Sequence, residues 1–341
     1  MSLSEPWPMV SPLDAGFNPD RLAEAVRYAM ERRTTALLIL RHGALVHEEY
    51  AEGWTPLTPG PIYSAGKSIV GTLVGLAVQE GLVDLDASCA RWFTAWRGDA
   101  REGIAVRHLV SMTSGLLCTF HSDFVVCMQE EDETAYGLTL RQVHPPGDRW
   151  DYNNTAYRLL HSLLELASGE DIGSFSQRLL FSRLGMEVPS WECRRTATST
   201  NPQHILCSAR DLARFGQMIL EEGRCHGSEI LDPHYLKQSF TRGADNGAYG
   251  LLWWINGGTR YRLPYKNSPY EGPLFPSAPP DTKAALGYRD NKLYVIPSRG
   301  LVIVRLGGMA VKVAKGQKIP DLTLSDFDDN FLGLLCPPAT E

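Results

Sequence analysis

The sequence is short of basic clusters, paired cysteines and long apolar runs, and each shortage removes a class of function. Lysine and arginine total 33 against 39 acidic residues, a formal net charge of -6. No basic run interrupts the mixture, so nucleic acid is not an expected partner. The 7 cysteines are odd in number and never spaced as CxxC, which argues against a disulfide scaffold. The 9 histidines contain no HExxH or HxxxH pair, and no metal or organic cofactor is expected. No serine has glycine both two positions before and two after it, so a Ser-His-Asp triad on a GxSxG elbow has no anchor. No apolar stretch approaches the roughly 20 residues of a membrane span. The opening "MSLSEPWPMVSPLD" lacks the charged and apolar regions of a signal peptide. A soluble protein is expected, cytoplasmic, or periplasmic or secreted if a leader preceded it.

What is present is an ordinary globular composition, 43% hydrophobic and 21% charged over 341 residues, enough for one large domain or two. "NPDRLAEAVRYAMERR" reads as a first helix with Asn18 as N-cap and Pro19 at the first helical position. Two β-rich runs around "RHG" follow as a hairpin whose first strand is apolar enough for burial on both faces. From "VDLDASCARWF" to about residue 240 the pattern is helical segments and loops with few strand candidates. Ser208 and Asp211 there resemble a capping box. Strand signals return in "YGLLWWING", "NKLYVIPS" and "GLVIVRLGG", and "LSDFDDNFLGLL" reads as a closing helix.

Strands at both ends and helices between them predict an α/β (α+β) fold. Residues 1–84 and 241–341 would form a split α/β domain and residues 85–240 an inserted, mostly helical domain. The cleft between them is the default site. Residues 256–283, rich in Pro, Gly and Tyr, read as a long loop of the kind that often carries function.

"PIYSAGKSIV" holds the first chemical signal. A serine hydroxyl needs a base, and lysine serves if burial or a nearby cation lowers its pKa. Ser64 and Lys67 stand three apart and so share a helix face. The backbone N–H of Ser64, at the positive end of the helix, can donate to an oxyanion. Local sequence alone equally suits a plain N-cap at Ser64 with Lys67 solvated in the first turn. "GDRWDYNNTAYRLL" supplies candidate partners, Tyr152 as proton acceptor or relay and Asn154 as an orienting amide. A second Tyr-x-Asn, Tyr265 and Asn267, lies in the long loop; a rigid helix beside Tyr152 favours the first pair. Phe120 and His121 are candidate pocket residues. Of the adjacent Trp253 and Trp254, one is expected in the core and Trp254 is the candidate for the cleft. The acidic "QEEDE" reads as a solvated loop.

Ser64-Ala65-Gly66-Lys67, "VRHLVSMTSGL", "PGDRWDYNNTAYRLL", "SARDLARFGQMIL" and "YGLLWWIN", in that order, resemble the serine β-lactamase-like family. That family includes class C β-lactamases, penicillin-binding proteins, family VIII esterases and 6-aminohexanoate-dimer hydrolases. The resemblance implies a β-lactamase/transpeptidase-like fold, an antiparallel sheet flanked by the terminal helices. It also implies Ser64 as acylated nucleophile, Lys67 as its proton partner, Tyr152 as base or relay, and Asn154 orienting Lys67 and the acyl group. The family's third motif, Lys/His-Thr-Gly, falls at Ala285-Leu286-Gly287, with the backbone N–H of Tyr288 as second oxyanion donor. The basic residue is absent. A carboxylate anchor is therefore missing at Ala285, with Lys283, Arg289 and Asp290 nearby in sequence. The expected substrate is a small neutral ester or linear amide. The alternatives are a β-lactamase or D-amino-acid peptidase, and a non-catalytic penicillin-recognition scaffold. Oligomeric state is left open.

Overall fold

The computed structural model describes residues 7–307 and 326–337. Met1–Leu3 and the first residues of the expected closing helix, Leu324 and Ser325, lie outside them. The strands β1 (Thr34–Arg41), β2 (Ala44–Tyr50), β3 (Trp254–Ile255), β4 (Lys283–Gly287), β5 (Asn291–Ile296) and β6 (Leu301–Gly307) form one six-stranded sheet in the order β2-β1-β6-β5-β4-β3. All its pairings are antiparallel. The apolar run in β1 is buried along almost its whole length, as are β5 and β6, because helices cover both faces.

The longer helices are α1 (Pro19–Met30), α2 (Gly66–Gln79), α3 (Asn154–Ser168), α4 (Ala209–Leu220) and α5 (Asp326–Leu335). On one face α4 packs closely enough that a Cβ on Gly216 would meet Leu293 and Val302 at 2.6 Å. On the opposite face α5 meets the alternate side chains: Tyr294 donates to Asp328 at 2.6 Å, and Arg305 lies over the Phe327 ring. Asn18 caps α1 through Arg21 N–H, and the Ser208/Asp211 capping box opens α4.

Two segments differ from their sequence patterns. Ser190–Arg195 and Thr200–Cys207 form an antiparallel hairpin that also pairs with Gly60–Pro61, inside the stretch expected to be helical. Its outer strand is exposed and polar and carries a register shift opposite Pro202, so it gives no apolar alternation to detect. "IAVRHLVSMTSGL", whose apolar spacing places it among the helical segments of that stretch, yields only the short helix Val106–Val110, which ends where Met112 turns to φ 60°.

Candidate active site

The turn Tyr63–Ala65 leads into α2 and is pinned from several sides. Ile62 N–H donates to Ile205 O at 3.0 Å, Asn291 Nδ2 to Pro61 O at 3.3 Å, and Ser68 Oγ to Leu252 O at 2.7 Å. Tyr63, immediately before Ser64, is held at φ 50°, a left-handed conformation that costs a tyrosine about 1–2 kcal/mol. The surrounding hydrogen bonds sustain that strain. On the sheet side, a Cβ at Gly287 would sit 2.2 Å from Ile62 O and 3.0 Å from Ala65 N. Only glycine lets β4 press against the turn that carries Ser64.

Lys67 Nζ donates to Ser64 Oγ at 3.0 Å. The ammonium-bearing end is enclosed by aromatic faces, 4.4 Å from the Tyr157 ring centroid and 5.0 Å from that of Tyr152. Burial lowers the Lys67 pKa to about 7; the Arg158 cation adds to the fall and the Asp123 anion opposes it. The Tyr152 hydroxyl moves the other way: burial raises it far above the ordinary phenol value, the hydrogen bond with Ser64 opposes this, and Asp123 adds to the rise. Tyr152 therefore keeps its proton at neutral pH, whereas Lys67 is poised to exchange one.

Asn153, not Asn154, caps α3, accepting from Ala156 N–H at 2.8 Å. Asn154 is the first helical residue, and its Nδ2 donates to Tyr265 Oη at 2.6 Å. Tyr265 Oη in turn donates to Asp123 Oδ2 at 2.7 Å. Both Tyr-x-Asn tyrosines thus reach one site, while Asn267 is exposed. Asp123 is 2% exposed and also accepts from Asn154 N–H (2.7 Å), Thr155 N–H (3.2 Å) and Thr155 Oγ1 (2.7 Å).

A cavity of about 330 Å³ opens over Ser64 and Lys67 and is lined also by Phe120, Tyr152, Asn154, Tyr265 and Tyr288. Ser64, Lys67, Tyr152, Asn154, Tyr288 and Phe120 are therefore brought together, with Gly287 supporting them from β4. His121 is exposed and outside the cavity wall, since the next residue of a helical turn points about 100° away. Trp254 is also outside the wall; it is buried behind Tyr152, with ring centroids 6.1 Å apart and planes 23° from parallel. Trp253 packs on Phe215 and Phe240.

Ala285 is buried against β5. Lys283 turns to the Phe240 ring, whereas Arg289 lies 5.4 Å from the Tyr63 ring centroid beside the cavity. Asp123, Arg158 and His204 join the cavity wall without having been singled out in the sequence. Burial, with Arg158 and Lys67 adding, lowers His204 to about 4, so it is neutral at physiological pH. Arg158 is explained by Glu133, the last acid of "QEEDE", which is buried instead of solvated: it pairs with Arg158 at 2.6 Å and Arg194 at 2.9 Å. Among the described residues no three His, Cys, Asp or Glu side chains gather as a metal-ligand group.

A family model described as Beta-lactamase matches residues 22–307. A 6-aminohexanoate-dimer hydrolase of Paenarthrobacter ureafaciens is 24% identical over 279 residues, 70% of this chain and 69% of that protein. Solved structures share the fold, among them two that cover most of this chain. One, a provisionally assigned beta-lactamase from Bacteroides dorei DSM 17855, has a TM-score of 0.72 at 19% identity, covering 92% of this chain and 96% of the other. The second, provisionally assigned as a 6-aminohexanoate-dimer hydrolase from Bacillus anthracis, has a TM-score of 0.70 at 18% identity, covering 89% and 82%.

Proposed function

Because the chain belongs to the beta-lactamase family and has a relative named as a hydrolase, we propose that it is a serine hydrolase that cleaves a neutral ester or amide through an acyl-enzyme on Ser64. The observation that carries this reading is the 3.0 Å contact between Ser64 Oγ and a buried Lys67 whose pKa is lowered to about 7. A lysine near neutrality is a competent base, because its free-amine form is populated where the enzyme works.

In the proposed sequence Lys67 takes the Ser64 proton as Oγ attacks the carbonyl carbon. The developing oxyanion is held by the backbone N–H groups of Ser64 and Tyr288. Tyr152 gives its proton to the leaving alcohol or amine and recovers one from Lys67, so protons balance and the phenol ends as it began. Water then enters and attacks the acyl carbon as the same pair takes its proton; the pair returns that proton to Ser64 Oγ as the acyl bond breaks and the acid leaves. The high phenol pKa supports Tyr152 as a relay and not as a standing phenolate base. Buried Ala285 in the third motif supports a substrate that does not depend on a carboxylate anchor at that position.

A fluorophosphonate probe should label Ser64 stoichiometrically, and p-nitrophenyl acetate should give a burst. Equal labelling of Ser64→Ala would end the proposal. Nitrocefin turnover matching ester turnover would replace it with a β-lactamase.

A further inference from the structure

Three aromatic rings stand together on the cavity wall away from the nucleophile turn. Phe120 and Phe124 have centroids 4.9 Å apart, and Tyr265 meets them at 5.7 and 5.9 Å. Both phenylalanines are unusually open for such residues, 38% and 40% exposed, with Met128 beside them at 36%. All four line the cavity over Ser64.

The third ring is supplied by the long loop and is held in place by polar contacts. Tyr265 has φ 59°, and its hydroxyl is fixed between Asn154 and Asp123. Asp123 is the anion in this wall, yet its oxygens already accept from Tyr265, Thr155 and the backbone of Asn154 and Thr155. Arg158 is likewise committed, to Glu133, Pro202 O and Gln203 Oε1. Both charges serve the protein's own architecture. A carboxylate entering the ring cluster would lose hydration and face the Asp123 anion, and an ammonium would exchange its hydration for ring faces alone because Asp123 is already bonded, whereas an apolar group would remove exposed ring surface from water.

We propose that Phe120, Phe124 and Tyr265 form a subsite for an uncharged apolar chain or ring of the substrate, with Asp123 and Asn154 as positioning residues that hold Tyr265 in the box. The proposal rests on the serine hydrolase reading and adds the chemical class of the group bound. It separates this chain from any hydrolase that needs a charged end on its substrate, an aminohexanoyl group included.

The test is a pH-stat series on the full-length protein with methyl acetate, methyl hexanoate, hexyl acetate and methyl 6-aminohexanoate. At about fourfold per buried methylene, methyl hexanoate or hexyl acetate should exceed methyl acetate in kcat/KM by about tenfold or more. Whichever ester gains shows whether the acyl or the alcohol side enters the box. Methyl 6-aminohexanoate should lose at least about tenfold against methyl hexanoate if the acyl side is the one bound. If the alcohol side is bound, 6-aminohexyl acetate should lose similarly against hexyl acetate. Phe124→Ala and Tyr265→Phe should shrink the chain-length ratio toward unity through KM, with fluorophosphonate labelling used to count competent sites in each variant. For the wild-type protein, inhibition by hexylboronic acid exceeding that by methylboronic acid gives the same reading without mutation.

Parity among the esters, or preference for the ammonium analogue, overturns the subsite even while Ser64 labels normally. Failure of Ser64 to label overturns the nucleophile assignment instead.

Discussion

The two walls of the cavity are built on opposite terms. Around Ser64 and Lys67 the structure is tied down: Lys67 is 5% exposed, and the Tyr63–Ala65 turn is gripped by β4, by the Thr200–Cys207 strand and by a bond from Asn291. Across the cavity, Phe120 and Phe124 stay more than a third exposed on an irregular helical segment, and Tyr265 comes from a loop. A proton transfer needs a heavy-atom separation near 3 Å, which the tightly held turn and the buried Lys67 side chain maintain. Recognition of an apolar group is non-directional and tolerates a looser surface. Reactivity and selectivity should therefore respond separately to mutation.

The largest effect should follow from the rigid wall: Ser64→Ala should lower kcat by about 10⁴-fold or more and abolish the burst. Tyr152→Phe, which keeps the ring packed on Trp254 and removes the hydroxyl, should cost about 10²–10⁴ in kcat, read in single-turnover assays. Unchanged turnover would move the relay to Tyr265 and erase the contrast between the walls. Gly287→Ala should destabilise by about 1–3 kcal/mol in urea titration and depress kcat, since the added methyl would meet Ile62 O at 2.2 Å.

The smallest effect is in the pH profile. Protonated Lys67 cannot accept the serine proton, so kcat/KM should rise with pH through about 7 and level off above it. Arg158→Gln removes a cation that lowers Lys67 and should shift that limb to higher pH; a shift the other way would show that Arg158 does not act on the lysine charge. The same lysine makes a stability statement. Between its native value of about 7 and an unfolded value of about 10.4 the unfolded chain binds the extra proton, so this group's contribution to stability rises with pH across that window.

Local patterns carried much of the fold. Asn18-Pro19, the "RHG" turn and the Ser208/Asp211 box each act within a few residues, and each is present at its expected place. Ser64, Lys67, Tyr152 and Asn154 were legible because their spacing and order follow a shared motif. Asp123 and Glu133 were not, because their meaning is made by distant partners: Tyr265 lies 142 positions from Asp123, and Arg194 lies 61 from Glu133. An acid in an acidic stretch looks solvated until the fold brings an arginine or a phenol to it. Trp254 and His121 show the complementary difficulty: an aromatic near a motif can support the site from behind or miss it altogether, depending on a side-chain direction set by tertiary packing.

The central sheet closes by joining Ile39 to Ile303, and the turn before Ser64 is braced by Gly287. During synthesis, a nascent chain ending near residue 280 would already contain Ser64, Lys67, Tyr152 and Asp123, yet β1 would lack β6 and the nucleophile turn would lack its β4 support. Assembly of the candidate site is therefore expected to be a late, long-range event, slow in the way that non-local strand pairing is slow. On the proposed reading, the Ser64–Lys67 pair would reach its working geometry only after β4, β5 and β6 emerge.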